Sequence, residues 1–291
     1  MKNSFKFTST FLLAAMFAGS LIITSCKDDS TPDPNAGKTD PSTIAPSNLV
    51  AYFPLESATT SISKGEGITF SKTAGAGSFV VGRRGNAYKG STAEAYLEYN
   101  LAASNVFTNM SEFTMAAWIK TPSAGGAAKI FGLNGGDVFM GNLVFMLEGN
   151  SNVDSLDIKG YLFNSATEWK GQDLRVHDYR FLTDKWVHLV YSYNETTSTM
   201  ALYANGLLVR NGVKYSGPET APGLQPLLGA VTFGTDMTKI NIGAWPQQLD
   251  GTGQDWMKFY PGLLDELRIY DKALTDAEIK ALYDAEITWV E

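Results

Sequence analysis

Cysteine is almost absent: Cys26 is the single one in 291 residues. No intrachain disulfide can form, and with Cys26 at the edge of a leader neither a cysteine metal cluster nor thiol catalysis is open to the rest of the chain. Positive charge is also short, 23 Lys and Arg against 30 Asp and Glu, for a net charge of −7. That balance argues against nucleic acid as a partner, which needs a basic footprint. It argues equally against electrostatic attachment to anionic lipid. The glycine-rich stretch 75–85 lacks a following G-K-[ST] and helix, so its glycines read as turn and bulge formers rather than a phosphate cradle. No G-x-S-x-G elbow occurs. The apolar run Phe11 to Ile23 is too short to span a bilayer comfortably.

That run belongs to a leader. Lys2 and Lys6 form a positive n-region ahead of it. Ile22-Ile23-Thr24-Ser25-Cys26 resembles a bacterial lipobox, which implies cleavage before Cys26 and lipidation of that cysteine. Lys27-Asp28-Asp29-Ser30 is similar to the surface-export signal of Bacteroidetes lipoproteins, which implies display on the outer face of the outer membrane, lipid-anchored. With Lys2 and Lys6 removed, Lys and Arg fall to 21 against 30 acids, so the remaining chain is near −9. Residues 26–47 hold Pro32, Pro34, Pro41 and Pro46 among polar residues and predict an extended tether. The organisation expected is therefore a leader over 1–25, a tether over 26–47 and one domain over 48–291.

An apolar content of 44% is ample for a core. Short alternating stretches predict strands at Leu49 to Glu56, Glu112 to Lys120, Leu156 to Phe163, Asp184 to Tyr193 and Lys239 to Gly243, and two strands within Ile130 to Leu147 joined by a turn at Asn134-Gly135-Gly136-Asp137. Met200 to Val209 reads as a hairpin with an Asn205-Gly206 turn. Asn164 to Phe181 and Ala244 to Lys258 read as polar loops. The chain closes on a strand in which Leu263, Leu267 and Ile269 share the buried face. A helix follows, N-capped by Thr275 with Glu278 completing a capping box, and Ile279, Leu282 and Tyr283 share one of its faces.

The run from Gly262 to Tyr283, G-L-L-D-E-L-R-I-Y-D-K-A-L-T-D-A-E-I-K-A-L-Y, resembles the closing signature of the laminin-G-like, concanavalin A-like lectin/glucanase jelly-roll family. L-V-A-Y-F-P-L-E from Leu49, F-T-M-A-A-W-I-K from Phe113 and W-V-H-L-V-Y-S-Y from Trp186 are similar to its other strands. The resemblance implies an all-β fold, a two-sheet antiparallel jelly-roll sandwich with one short C-terminal helix. It implies Trp118 and His188 as strand residues, and both read as buried and structural. Calcium sits at the sandwich rim in some members, and the matching positions here are Glu56 and Asp265. Glu56 replaces the usual Asp, and the D-x-S-G-N turn is missing.

The fold hosts both binders and enzymes, so function has to come from a site. Family members that cleave β-glucans carry an E-x-D-x-E strand, and none occurs here. Asp154 and Asp157 would point to opposite faces of a strand, as would Asp265 and Glu266. Trp169, Trp245 and Trp256 fall in polar, loop-like surroundings beside Arg175, Gln247, Asp250, Gln254 and Asp255. Indole faces stack on sugar rings and such neighbours hydrogen-bond hydroxyls, while the bland alternative is that each tryptophan plugs an end of the sandwich. The expectation is a non-catalytic module for glycan, with a surface protein as the alternative partner and a hydrolase or lyase as the third reading.

Overall fold

The computed structural model describes residues 33–289 except 136–137, 150–154, 179 and 217–225. The leader, Cys26 and Asp154 lie outside the described residues. The strands run β1 Leu49–Phe53, β2 Lys64–Gly65, β3 Ile68–Gly75, β4 Ser78–Val81, β5 Asn86–Lys89 and β6 Ala95–Leu101. Then come β7 Phe113–Lys120, β8 Ala127–Gly135, β9 Leu143–Leu147, β10 Asp157–Asn164, β11 Trp169–His177 and β12 Val187–Asn194. The last are β13 Thr199–Ala204, β14 Leu207–Val213, β15 Met237–Ile242, β16 Met257–Lys258 and β17 Leu263–Tyr270, with helices α1 Pro246–Asp250 and α2 Asp276–Thr288.

Two sheets form. The back sheet orders β14-β13-β12-β7-β17-β1-β2, with β5 also on β17 and β4 on β5. The front sheet orders β11-β10-β9-β8-β15-β6-β3, with β16 added to β8. Their facing sides bury one core, where Phe53 meets Tyr99 edge-on at 5.1 Å and Phe113 meets Tyr191 at 5.0 Å. Each such side chain taken out of water contributes roughly 1.5–3 kcal/mol. This is the expected sandwich, in which alternation gives each strand one face to the core.

The closing strand runs between β1 and β7. Its inward set differs by one residue from the expected one. The pairing with β7 slips between Asp265 and Arg268, and Glu266 sits at φ 51°, so one extra residue bulges out. Leu264, Leu267 and Ile269 therefore face the core, while Leu263 stays half-buried. Asp265, Glu266 and Arg268 turn to the outer side of the back sheet and are nonetheless buried, because that side is covered. α2 lies there, held at its start by reciprocal bonds between Thr275 and Glu278. Ile279 and Leu282 pack on Val190, Tyr203 and Tyr270, and Tyr283 stacks on Trp118 at 5.7 Å.

Three further readings change. Residues 164–181 are not a long loop, since β11 pairs with β10 as a hairpin. The pairing shifts between Gly160 and Leu162, and that shift breaks the alternation from which the strand would have been read. Loop 244–258 contains α1 and β16. The docked domain also begins before residue 48: Pro41–Thr43 makes a 3-10 turn capped by Asp40, Pro41 is buried, and Ile44 packs beside the α2 cluster. The Asn205-Gly206 turn is as expected, with φ of 52° and 76°, which suits a tight hairpin.

Candidate functional site

With α2 covering the back sheet, the outer face of the front sheet is the other broad face of the sandwich. Alternation puts Tyr96 and Glu98 of β6, Lys239 and Asn241 of β15, and Asp157, Lys159 and Tyr161 of β10 on it, and the register shift between Lys129 and Phe131 of β8 brings Lys129 and Asn134 to the same side. Loop 244–258 crosses over it. Pro246 starts α1, and Gln248 turns its side-chain oxygen back to the Trp245 amide at 3.0 Å.

This tucks Trp245 onto the sheet. Its indole N–H donates to the Ala127 carbonyl at 2.9 Å, and the ring is fully buried. Beneath it lies Lys129, also fully buried, with Nζ 4.6 Å from the ring centre. Burial pushes the Lys129 ammonium down to about 7. Its Nζ donates to Asn134 Oδ1 at 3.1 Å, and Asn134 Nδ2 donates to Asn241 Oδ1 at 3.0 Å. Edge-on to Trp245, at 5.3 Å, stands Trp256.

Trp256 is 44% exposed and Phe139, 6.3 Å away, is 50% exposed. Gln247 bonds the Phe139 carbonyl through Nε2 at 2.9 Å, tying α1 to the segment that carries Phe139. Asp255 and Gln254 line a shallow pocket of ≈ 470 Å³ beside Trp256. Asp250 is exposed and accepts the amide and hydroxyl of Thr252, bonds that hold its carboxyl below the usual range.

The expected set is thus brought together in part. Trp245, Gln247, Asp250, Asp255 and Trp256 gather on one loop, but Trp256 alone of the three candidate tryptophans presents its ring. Trp245 is a support with no free face. Trp169 is a core residue, 7% exposed, at the start of β11. Arg175 sits at the far edge of the front sheet, where its guanidinium holds Asp157 at 2.5 Å. Phe139, Lys129, Asn134 and Asn241 escaped sequence reasoning. For the last two the one available signal was an outward polar position on an apolar strand.

Glu56 and Asp265 do converge, on the turn joining β4 to β5. Asp265 Oδ2 accepts the Arg83 and Arg84 amides at 2.7 and 2.9 Å, and Glu56 Oε2 accepts the Asn86 amide at 2.8 Å. Burial pushes the Asp265 carboxyl up to about 8, against those two amides. A side chain at Gly85, φ 50°, would collide with Glu56. The donor set suits calcium poorly: N–H dipoles already point at both carboxylates, whereas calcium takes six to eight oxygens. Among the described residues no group of three or more His, Cys, Asp and Glu able to hold a metal occurs.

Next to them is a buried ionic cluster. Arg84 and Arg268 both pair with Glu266, and Arg268 Nε bonds Glu286 of α2 at 2.7 Å. Glu286 also accepts the Trp118 indole N–H at 2.8 Å. His188 is fully buried 3.5 Å from Glu286, and burial keeps its ring below the usual histidine range. Trp118 and His188 are structural, as expected.

The architecture and its open face define a lectin-type jelly-roll sandwich. Residues 89–280 match the model of the Laminin_G_3 family, described as the concanavalin A-like lectin/glucanases superfamily, and the chain belongs to that family. Comparison with curated proteins gave no match. Among solved structures, it is similar to the binding domain of Paraclostridial Mosquitocidal Protein 1, with 16% identity, TM-score 0.56, and coverage of 81% of this chain and 52% of that one. It is similar to the binding domain of botulinum neurotoxin serotype G at 15% identity and TM-score 0.56, covering 81% and 50%. A third is the botulinum neurotoxin serotype D ligand-binding domain in complex with N-acetylneuraminic acid, at 13% identity and TM-score 0.53, covering 81% and 50%. The chain spans about half the length of each of these, and at such identities the likeness is one of fold.

Proposed function

We propose that this chain is a non-catalytic glycan-binding module, held at the outer membrane of a bacterium by a lipid on Cys26. The observation that carries the reading is the exposed Trp256–Phe139 pair, braced from below by Trp245 and from the side by Gln247. Two tilted apolar rings fixed at a surface suit the apolar face of a sugar ring, and Gln254 and Asp255, which precede Trp256 in the chain and line a shallow pocket, offer polar groups for its hydroxyls. The serotype D structure with N-acetylneuraminic acid supports a glycan as the class of ligand on this architecture. Three acids of the front face support binding over cleavage, since Glu98, Glu148 and Asp157 each face a cation, Lys239, Lys159 and Arg175, and Asp250 is held by Thr252. A glycosidase needs two carboxylates flanking one bond, about 5–5.5 Å apart or wider. The proposal gives Glu56 and Asp265 to clasping the β4–β5 turn rather than to a calcium ion.

The test is a glycan microarray followed by affinity electrophoresis of wild type, Trp256→Ala and Phe139→Ala. The reading expects retention in wild type and at least a tenfold loss in each variant, with the melting temperature kept. Equal retention by all three would refute the site. An array without hits, joined to specific capture of a polypeptide, would replace glycan by protein as the ligand.

A further inference from the structure

A second pocket opens on the other flank of α1, between that helix and strands β6 and β15. It encloses ≈ 350 Å³, at the lower end of the range for small-ligand sites, and Tyr96, Glu98, Lys239, Asn241, Leu249 and Asp250 line it. At its wall is a buried donor without a partner, Asn241 Nδ2, on a residue 2% exposed. An amide N–H buried with nothing to bond costs roughly 1–3 kcal/mol. Such a cost persists where something else fixes the group's direction.

Here the direction is fixed from below. Gly132 O can only accept, so Asn134 must turn its NH2 group toward that carbonyl, which leaves its Oδ1 facing Lys129 Nζ. The Asn134 NH2 group then faces Gly132 O at 2.9 Å and Asn241 Oδ1 at 3.0 Å. That leaves Asn241 no choice but to turn its own NH2 group away from the relay, on the pocket side. The buried Lys129–Asn134 pair thereby sets a donor at the pocket wall, on the third residue of a hydrogen-bonded chain. Above the donor runs one ion pair. Lys239, two residues before Asn241 on the same face, reaches Glu98, which pairs across the strands with Asn241 itself. The Lys239 side chain is 46% exposed, so it is free to swing aside when a ligand enters.

We propose that this pocket is a subsite for an uncharged pyranose, whose ring or hydroxyl oxygen accepts from Asn241 Nδ2 while neighbouring hydroxyls bond Glu98 and Lys239. This deepens, and rests on, the reading of the front face as a glycan surface. Charge balance selects the class: Lys72 and Lys239 are offset by Glu98 and Asp250 around the mouth, so neither a phosphate nor a uronate finds net positive charge. Leu249, half-buried on α1, supplies the apolar wall against which a sugar ring lies, and Tyr96, with Lys72 Nζ 5.2 Å from its ring centre, closes the floor. α1 separates this pocket from the Trp256–Phe139 pair, so one oligosaccharide crossing the helix would engage both.

The experiment uses the full chain, 15N-labelled in detergent micelles, and follows the side-chain amide signal of Asn241, assigned by its disappearance in Asn241→Asp. Asp at this position keeps the oxygen that Asn134 needs and removes the donor. The probes are the methyl glycosides of glucose, galactose and mannose, with inorganic phosphate as the anion. The expected result is a saturable displacement of the Asn241 signal by at least one glycoside and none by phosphate. Leu249→Trp, a half-exposed helix position that fills the mouth, weakens that displacement about tenfold or more, the worth of one hydrogen bond with its surrounding contacts. No displacement by any glycoside at its solubility limit, or displacement by phosphate alone, overturns the subsite. Oligosaccharide retention that depends on Trp256 but is untouched by Asn241→Asp and Leu249→Trp also overturns it while the glycan reading stands.

Discussion

Glu286→Ala removes the carboxylate through which α2 grips the back sheet. In the native cluster Arg84 and Arg268 balance Glu266 and Glu286, and all four side chains are 6% exposed or less. Alanine leaves Arg268 Nε without its partner at 2.7 Å, leaves the Trp118 indole N–H without its acceptor at 2.8 Å, and leaves one uncompensated buried positive charge. Removing one member of a buried pair costs about 3–5 kcal/mol. The orphaned indole belongs to the same network, so its cost is not added in full. At about 2–4 °C per kcal/mol for a domain of this size, the melting temperature falls by roughly 6–20 °C. Urea unfolding followed by fluorescence measures the change directly. Glu286→Gln keeps an acceptor for Trp118 and loses less than alanine. Glu286→Leu with Arg268→Met removes the charges together and recovers most of the loss, because the Arg84–Glu266 pair remains balanced. A Glu286→Ala cost below about 1 kcal/mol, the scale of a surface pair, would refute the argument, and so would a double variant no more stable than the single one.

Lys129→Met gives a pH signature. The native ammonium titrates near 7 and the unfolded one near 10.5, so between those values the unfolded chain holds more protons and wild-type stability climbs relative to the variant as pH rises. Urea melts of both proteins at pH 6.5 and 9.5 check the sign, and a pH-independent difference would contradict the burial of that amine. Added calcium leaves the melting temperature unchanged, because the turn amides hold Asp265 Oδ2 and Glu56 Oε2 and, among the described residues, no third acid joins them as a metal group; a rise of several degrees, abolished by Asp265→Asn, would restore the metal. Cys26→Ala moves the protein from the membrane fraction to the soluble one, as membrane fractionation would show, and membrane retention of the variant would remove the lipid anchor.

The features read correctly from sequence are those whose signals are local. Thr275 and Glu278 announce the last helix within four residues, and Asn205-Gly206 announces its hairpin within two. The slip at Glu266 was hidden because a single bulged residue leaves composition and length unchanged and alters only which neighbours face inward. Trp245 and Trp256 were alike as letters in a polar loop; the turn begun at Pro246 is what seats one on Lys129 and leaves the other outside. Lys129 itself lies in an alternating strand where a lysine reads as solvent-facing, and only loop 244–258 folding over it makes it a buried amine. The pairings of Asn134 with Asn241 and of Glu98 with Lys239 span 107 and 141 residues and exist only through strand register.

The most direct measurement of the glycan reading is fluorescence of the full chain titrated with an oligosaccharide that the array selects. Trp118, Trp169 and Trp245 are already buried and Trp186 and Trp289 are half-buried, whereas Trp256 is 44% exposed and has the most to lose in contact with water. The account predicts a saturable blue shift that vanishes in Trp256→Phe. Binding of the same oligosaccharide with Trp256 emission unchanged would contradict it.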